Sequence, residues 1–266
     1  MRSLLAVIVL ASVIAAPADA AITVLAQYRL GEADPGAAPG LLGANPTVAS
    51  VGTSGLARIG EPSYGLPRPP FQNSTLAMAF DGADDRYDLS AVLTTATDNF
   101  GIEAWVKSNG RTTQNALIAY NGNTASSGWG LFRAGAEYGF LYGGVVLDGV
   151  VPVTTDWTHL ALVREGGTNR FYVNGQLIQS SPGGPNVPVG RFQLGGNLLV
   201  PTEGFDGEID EVRVFTFAPG AFTPADLNLP VFLPPEPIPA TQPWSLLLMA
   251  LGLLASGVLL LRAQRP

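Results

Sequence analysis

The chain has 266 residues and a formal net charge of −7, with 14 Lys and Arg against 21 Asp and Glu. The charges are dispersed, and no basic patch is interleaved with aromatics, which excludes a nucleic-acid partner. There is no cysteine and only one histidine, His159, so neither a disulfide framework nor a multi-histidine metal site can be built. The 32 Gly and 22 Pro, with many Val, Thr and Phe, suit short strands joined by tight turns.

Met1-Arg2 is a basic start, Leu4 to Ile14 an apolar core, and Ala18-Asp19-Ala20 a small-residue site. Together they predict a secretory signal peptide over residues 1–20, cut before Ala21. The apolar core is short for a retained anchor. Residues 22–30 alternate as a first strand. From Gly31 to Pro70 the chain is rich in Gly, Pro and Ala, which predicts a long surface excursion with short strands around Thr47–Val51. Strands are then predicted at 76–80, 100–108, 115–120, 128–135, 138–143, 145–153, 156–165, 169–180, 191–196 and 207–217. Period-two alternation is clear in Trp157 to Arg164 and in Arg170-Phe171-Tyr172-Val173. Asn174-Gly175 is a two-residue hairpin signal, since both turn positions need positive φ. No segment of the domain carries helical periodicity. The fold class is therefore all-β, an antiparallel two-sheet sandwich or jelly roll, over residues 21–229.

Residues 230–243 are Pro-rich and predict a stiff extended linker. An apolar run of about 18 residues follows, over 244–261, close to the ~20 that cross a bilayer. Arg262 and Arg265 come after it, in a basic tail over 262–266 that should stay cytoplasmic. The domain should then sit outside the cytoplasmic membrane.

Four segments resemble, in order, the laminin-G-like, concanavalin A-like jelly-roll domains of exported bacterial proteins. They are the turn from Ala79 to Asp88, the strand Phe100 to Lys107, the hairpin from Trp157 through Gly175, and the strand Phe205 to Phe215. The resemblance implies two antiparallel sheets packed face to face. It also makes a binding function the leading expectation, with extracellular polysaccharide or a surface protein as partner. A structural or adhesive matrix protein that binds another protein is the alternative, and a glycoside hydrolase is a third. Ile238-Pro239, then Trp244 opening the apolar run before a basic end, is similar to the IPTL-type and PEP-CTERM sorting signals of Gram-negative bacteria. That likeness implies removal by an exosortase-type membrane protease; an ordinary single-span anchor is the other reading.

Three sets of side chains are candidates for chemistry. Retaining β-glucanases on this general fold carry E-x-D-x-E on one strand; here Glu208-Ile209-Asp210-Glu211 is one residue short. Alternation puts Glu208 and Asp210 on one face, where two carboxylates could still act as a pair, and Glu211 on the other; the resemblance to the laminin-G-like domains places them on a non-catalytic strand, so no catalytic residues are expected. Asp81, Asp84, Asp85 and Asp88, with Asp206 and Asp210 near the last strand, are oxygen donors of the kind that hold a structural calcium ion; Asp81, Asp84, Asp85, Asp206 and Asp210 are the candidate ligands. Tyr120, Trp129, Tyr138 and Tyr142 offer aromatic faces for sugar rings, with Asn121 and Asn123 for hydroxyls, unless they pack in the core. Trp105, Trp157 and His159 are expected to be structural.

Overall fold

The computed structural model describes residues 22–66, 69–70, 74–111 and 113–230. The expected signal peptide, the linker beyond Pro230, the apolar run and the basic tail lie outside the described residues, as does Asn73. Among the described residues, no helix is long and apolar enough to cross a membrane.

The fifteen strands, in chain order, are β1 (Ile22–Tyr28), β2 (Ala57–Ile59), β3 (Ser63–Gly65), β4 (Ala77–Asp81), β5 (Arg86–Leu89), β6 (Phe100–Ser108), β7 (Ala116–Asn123), β8 (Ser127–Ala134), β9 (Glu137–Tyr142), β10 (Val145–Pro152), β11 (Thr158–Glu165), β12 (Thr168–Val173), β13 (Gln176–Ser181), β14 (Arg191–Leu194) and β15 (Asp206–Phe217). A single 3-10 turn, Pro224–Asp226, is the only helical element described. The first sheet runs β13-β12-β11-β6-β15-β4-β3, and β1 pairs with the second half of β15. The second sheet runs β10-β9-β8-β7-β14-β5-β2. All pairings are antiparallel.

Alternation decides what each sheet buries. On β6, Phe100, Ile102, Ala104 and Val106 point between the sheets, while Glu103 and Trp105 face outward. On β8, Trp129 and Leu131 point inward, and the Trp129 ring stacks on Phe100 of the opposite sheet at 3.9 Å between centroids. The Asn174-Gly175 turn has φ of 49° and 78°, as its sequence requires, and joins β12 to β13.

The described part of the excursion, residues 31–66 and 69–70, is tied down rather than loose. The Asp34 carboxylate accepts from Thr47 Oγ1 at 2.8 Å, the Val48 N–H at 2.6 Å and Tyr64 Oη at 2.8 Å. The strand expected at 47–51 is reduced to isolated bridges, Thr47 with Leu56 and Val51 with Gln27. The short β2 and β3 form instead, and β5 follows the acidic turn. Strands of three or four residues are too short for period two to show in sequence.

The segment after β15 turns back over the outside of the first sheet. Phe222, Leu227 and Leu229 cover Ala161, Val163, Tyr172, Phe215 and Phe217 there. Residues 21–230 expressed alone should give a far-UV spectrum with almost no helix. Deleting 218–230 uncovers this second cluster and should cost at least about 3 kcal/mol, from the burial of three large side chains. Denaturant titration of the two forms checks the difference.

Candidate functional site

The turn between β4 and β5 gathers part of the expected calcium set. Gly82 supplies the positive φ of 74° that the turn needs. Asp81 accepts from the Ala83 N–H at 2.8 Å, and Asp85 accepts from the Glu61 and Asp81 N–H groups at 2.6 and 3.1 Å. One oxygen each from Asp81, Asp84 and Asp85 lie within 4.8 Å of one another. Burial pushes the Asp85 carboxyl up; the two N–H donors oppose this, and the Asp81 and Asp84 charges add to it. The turn lines an open groove of about 420 Å³ with Glu61 and Ser63. Three converging carboxylates are a hard oxygen set suited to Ca²⁺, whose shell of six to eight they would half fill.

The other expected ligands lie elsewhere. Asp206 pairs in register with Asp81, but its oxygens take Asn109 Nδ2 at 3.0 Å and Arg111 Nε at 3.2 Å. Asp88, in the same acidic run but outside the candidate ligand set, pairs with Arg86 and Arg191 at 3.3 and 3.0 Å. Asp210 joins Glu32 and Glu211 instead.

Glu211 does not alternate away from Asp210. It has φ of 50°, and the register slips between Asp210 and Arg213, so Glu211 and Val212 together oppose one residue of β6. This bulge brings the Asp210 and Glu211 carboxylates within 4.8 Å, both fully buried. Glu211 accepts from Gln27 Nε2 and Arg29 Nε, each at 2.8 Å. Asp210 accepts from Ser74 Oγ and the Glu211 N–H, and its carboxyl sits well above the ordinary value. The chief cause is burial, followed by the Glu211 and Glu32 charges. Glu208 pairs with Lys107 at 3.5 Å. No acid and nucleophile therefore flank a cleft here.

His159 is fully buried, and its Nε2–H donates to Glu103 at 2.9 Å. Glu103 also accepts from Arg213 and from the Asn228 N–H. Burial alone would raise the Glu103 carboxyl; the His159 hydrogen bond, the Arg213 and His159 charges and the Asn228 N–H bring it below its ordinary value. Trp105 is buried beside them, with Nε1 donating to the Asn228 carbonyl. Trp157 is half-buried.

Most of the expected sugar platform is inside the molecule. Trp129 and Tyr138 are fully buried between the sheets. Tyr120 is fully buried on the outer side of the second sheet, where Oη donates to the Ser127 carbonyl and accepts from the Gly143 N–H. Asn121 is fully buried and bonds Leu93 N and Thr94 O. None of these four can meet a sugar ring, because strand register and not local composition sets which face a residue takes. Tyr142 and Asn123 keep partial exposure.

The sequence gives less warning of the pocket on the outside of the second sheet. Leu117, Tyr120, Phe132 and Leu141 form an apolar cluster there, of which Phe132 and Leu141 floor the pocket. The loop 195–205 folds against it, with the Gly195 N–H donating to Ile118 O and the Leu117 N–H to Glu203 O. A cavity of about 190 Å³ opens between Phe132, Leu141, Val146, Leu199 and Val200, with Thr124, Asn197 and Glu203 on its polar side. A cleft of about 60 Å³, lined by Asp84, Asp85 and Asn197 among others, lies between this cavity and the acidic turn. The one sequence signal was Leu198-Leu199-Val200, apolar residues in a loop between Gly195-Gly196 and Pro201.

A family model described as the concanavalin A-like lectin/glucanases superfamily matches residues 81–226, more than half of the chain. The chain belongs to that superfamily. No curated protein sequence matches it. Solved structures share the fold at low identity. Domain 4 of a GH43 extracellular arabinanase from Geobacillus stearothermophilus, in complex with arabinotriose, is 19% identical, with TM-score 0.53, covering 77% of this chain and 96% of that one. The botulinum neurotoxin serotype D binding domain is 15% identical, with TM-score 0.53, covering 77% of this chain. A botulinum neurotoxin type C structure, from work on cell entry through two ganglioside molecules, is 11% identical, with TM-score 0.50 and 77% of this chain covered. This chain spans about half the length of both toxin chains.

Two substitutions should move stability in opposite directions. Glu103→Gln removes the charge and one of the two acceptor oxygens shared by His159 and Arg213 and should cost about 3–5 kcal/mol. Because the Glu103 carboxyl lies below its unfolded value of about 4.3, its contribution is present above that pH and is lost as pH falls through the folded value. Asp210 has the reverse sign: its folded value is raised, so its contribution is full below about pH 3.9 and fades as pH rises through the folded value. Asp210→Asn should therefore raise the melting temperature at pH 8 by about 2–4 °C, the shift ~1 kcal/mol gives a domain of this size. Thermal melts across pH check both.

Proposed function

We propose that this chain is an exported bacterial surface or envelope protein that binds extracellular carbohydrate through its jelly-roll domain. The observation that carries the reading is the pocket over the second sheet. It has an apolar floor and an ordered polar edge: Thr124 Oγ1 donates to Asn197 Oδ1 at 3.1 Å, and Asn197 Nδ2 to Glu203 Oε2 at 2.7 Å. Sites with apolar walls and a few fixed polar groups are what small ligands use. The superfamily and the arabinotriose-bound neighbour point to sugar as the ligand class. The burial of Asp210 and the pairing of Glu208 with Lys107 favour binding over hydrolysis.

In this reading a calcium ion at Asp81, Asp84 and Asp85 would hold the turn that borders the polar edge, a structural role. The full-length chain should capture glycans on an array, and calcium chelation should weaken capture. Saturating Ca²⁺ should raise the melting temperature by roughly 5–10 °C, and Asp84→Asn, at an exposed position, should abolish that rise. Capture of a surface protein with no glycan signal would favour the adhesive alternative.

Export and membrane association rest on the sequence of the two ends. An exosortase-type protease is the partner the C-terminal likeness implies. Intact-mass analysis from the native host should show a mature protein without the apolar run 244–261, and Ile238→Ala with Pro239→Ala should block its removal. A mature species still ending at Pro266 would mean a plain anchor.

A further inference from the structure

We propose that the pocket over the second sheet takes a terminal 6-deoxyhexose residue, with the sugar methyl against the aliphatic walls and ring hydroxyls at Asn197 and Glu203. The proposal rests on the carbohydrate reading above and names the kind of sugar. At about 190 Å³ the cavity is smaller than the ~300–1,000 Å³ of drug-sized sites, so it suits a single ring at a chain end or branch.

Its walls select among rings. Phe132 is 1% exposed and Leu141 4%, so no aromatic face is offered for stacking on a pyranose. The exposed part of the lining is aliphatic: Val146 at 40%, Leu199 at 50% and Val200 at 39%. A hydroxymethyl group placed among these side chains would lose water and gain no partner, whereas a methyl group there gains apolar burial. The polar edge is fixed in advance, since Asn197 Oδ1 accepts from both Thr124 Oγ1 and the Leu199 N–H. The only charged group in the lining is Glu203, an acceptor for sugar hydroxyls. The Glu203 carboxylate in the lining repels the carboxylate of a uronic or sialic acid.

The test is calorimetric titration of the full-length chain with methyl glycosides that differ only at C6: L-fucose against L-galactose, and L-rhamnose against L-mannose. The 6-deoxy member of at least one pair should bind on the order of tenfold tighter, the discrimination a small apolar contact supplies. Val146→Ser and Leu199→Ser should each erase that preference without changing the melting temperature, because both side chains are exposed. Val187→Ser, exposed and outside the pocket lining, should leave it intact. Equal binding within both pairs, or a preference that survives both wall variants, would overturn the proposal. Glycan capture that ignores both wall variants would sink the pocket assignment and leave the carbohydrate reading standing. Capture of no glycan at all would remove the reading and the proposal together.

Discussion

One buried carboxylate ties the first sheet to the segment that covers it. Glu103 sits on the outward side of β6 and is fully buried. Its donors come from three other places: His159 on β11, Arg213 on β15 and the Asn228 N–H after the last strand. Removing a carboxylate from water costs several kcal/mol, and only a full set of charge-assisted donors offsets it. Glu103 can therefore be ionised and buried only when β6, β11, β15 and the covering segment are all in place. This gives a physical reason for the Glu-x-Trp, Trp-x-His and Asp-Glu-Val-Arg elements of the chain. They are not separate strand signatures; Glu103, His159 and Arg213 are parts of one polar cluster, and Trp105 closes it by donating to the Asn228 carbonyl.

The bulge at Glu211 sets where the carboxylates of β15 point. Strict alternation would have left Glu211 pointing into the core, where an unpaired charge is not tolerated. The extra residue turns it outward, onto Gln27 of β1 and Arg29 just after it. Burial is the chief reason Asp210 favours its proton, and the nearby Glu211 and Glu32 charges add to it. Catalysis of glycoside cleavage needs two carboxyls facing a substrate, one of them open to water. Here the same residues hold β1 and the Ser74 segment to the sheet.

Much of the architecture was legible. The long strands showed period two, Asn174-Gly175 marked its hairpin, and the solitary histidine was expected to be structural. The strands that did not show were the short ones, β2, β3 and β5, whose pairing is decided by partners distant in sequence. The inward positions of Trp129 and Tyr138 depend on register across the sheet, which local composition does not encode. Glu211 was assigned to the wrong face because a single positive φ at a non-glycine residue leaves little trace in sequence. Of the five aspartates proposed as calcium ligands, three meet because they share one turn, and the other two are captured by Arg111 or buried beside Glu32. The pocket was the least visible, since Thr124, Leu141 and Asn197 meet only through the loop 195–205.

The two sheets consequently divide the work. Both ends of the described chain lie on the first: Ile22 pairs with Phe217, and the segment 218–230 crosses its outer side. That side is filled by the covering segment and by the buried charges beneath it. The outer side of the second sheet carries instead a partly open cavity with exposed valine and leucine on its rim. Exposed aliphatic side chains around an ordered polar edge gain nothing for the free domain, whose stability would be served better by polar residues at those positions. Their presence is accounted for if something covers them in use. The acidic turn joins β4 of the first sheet to β5 of the second, and the cleft lined by Asp84, Asp85 and Asn197 connects it to this cavity, so an ion that stiffens the turn would act on the polar edge of the open face.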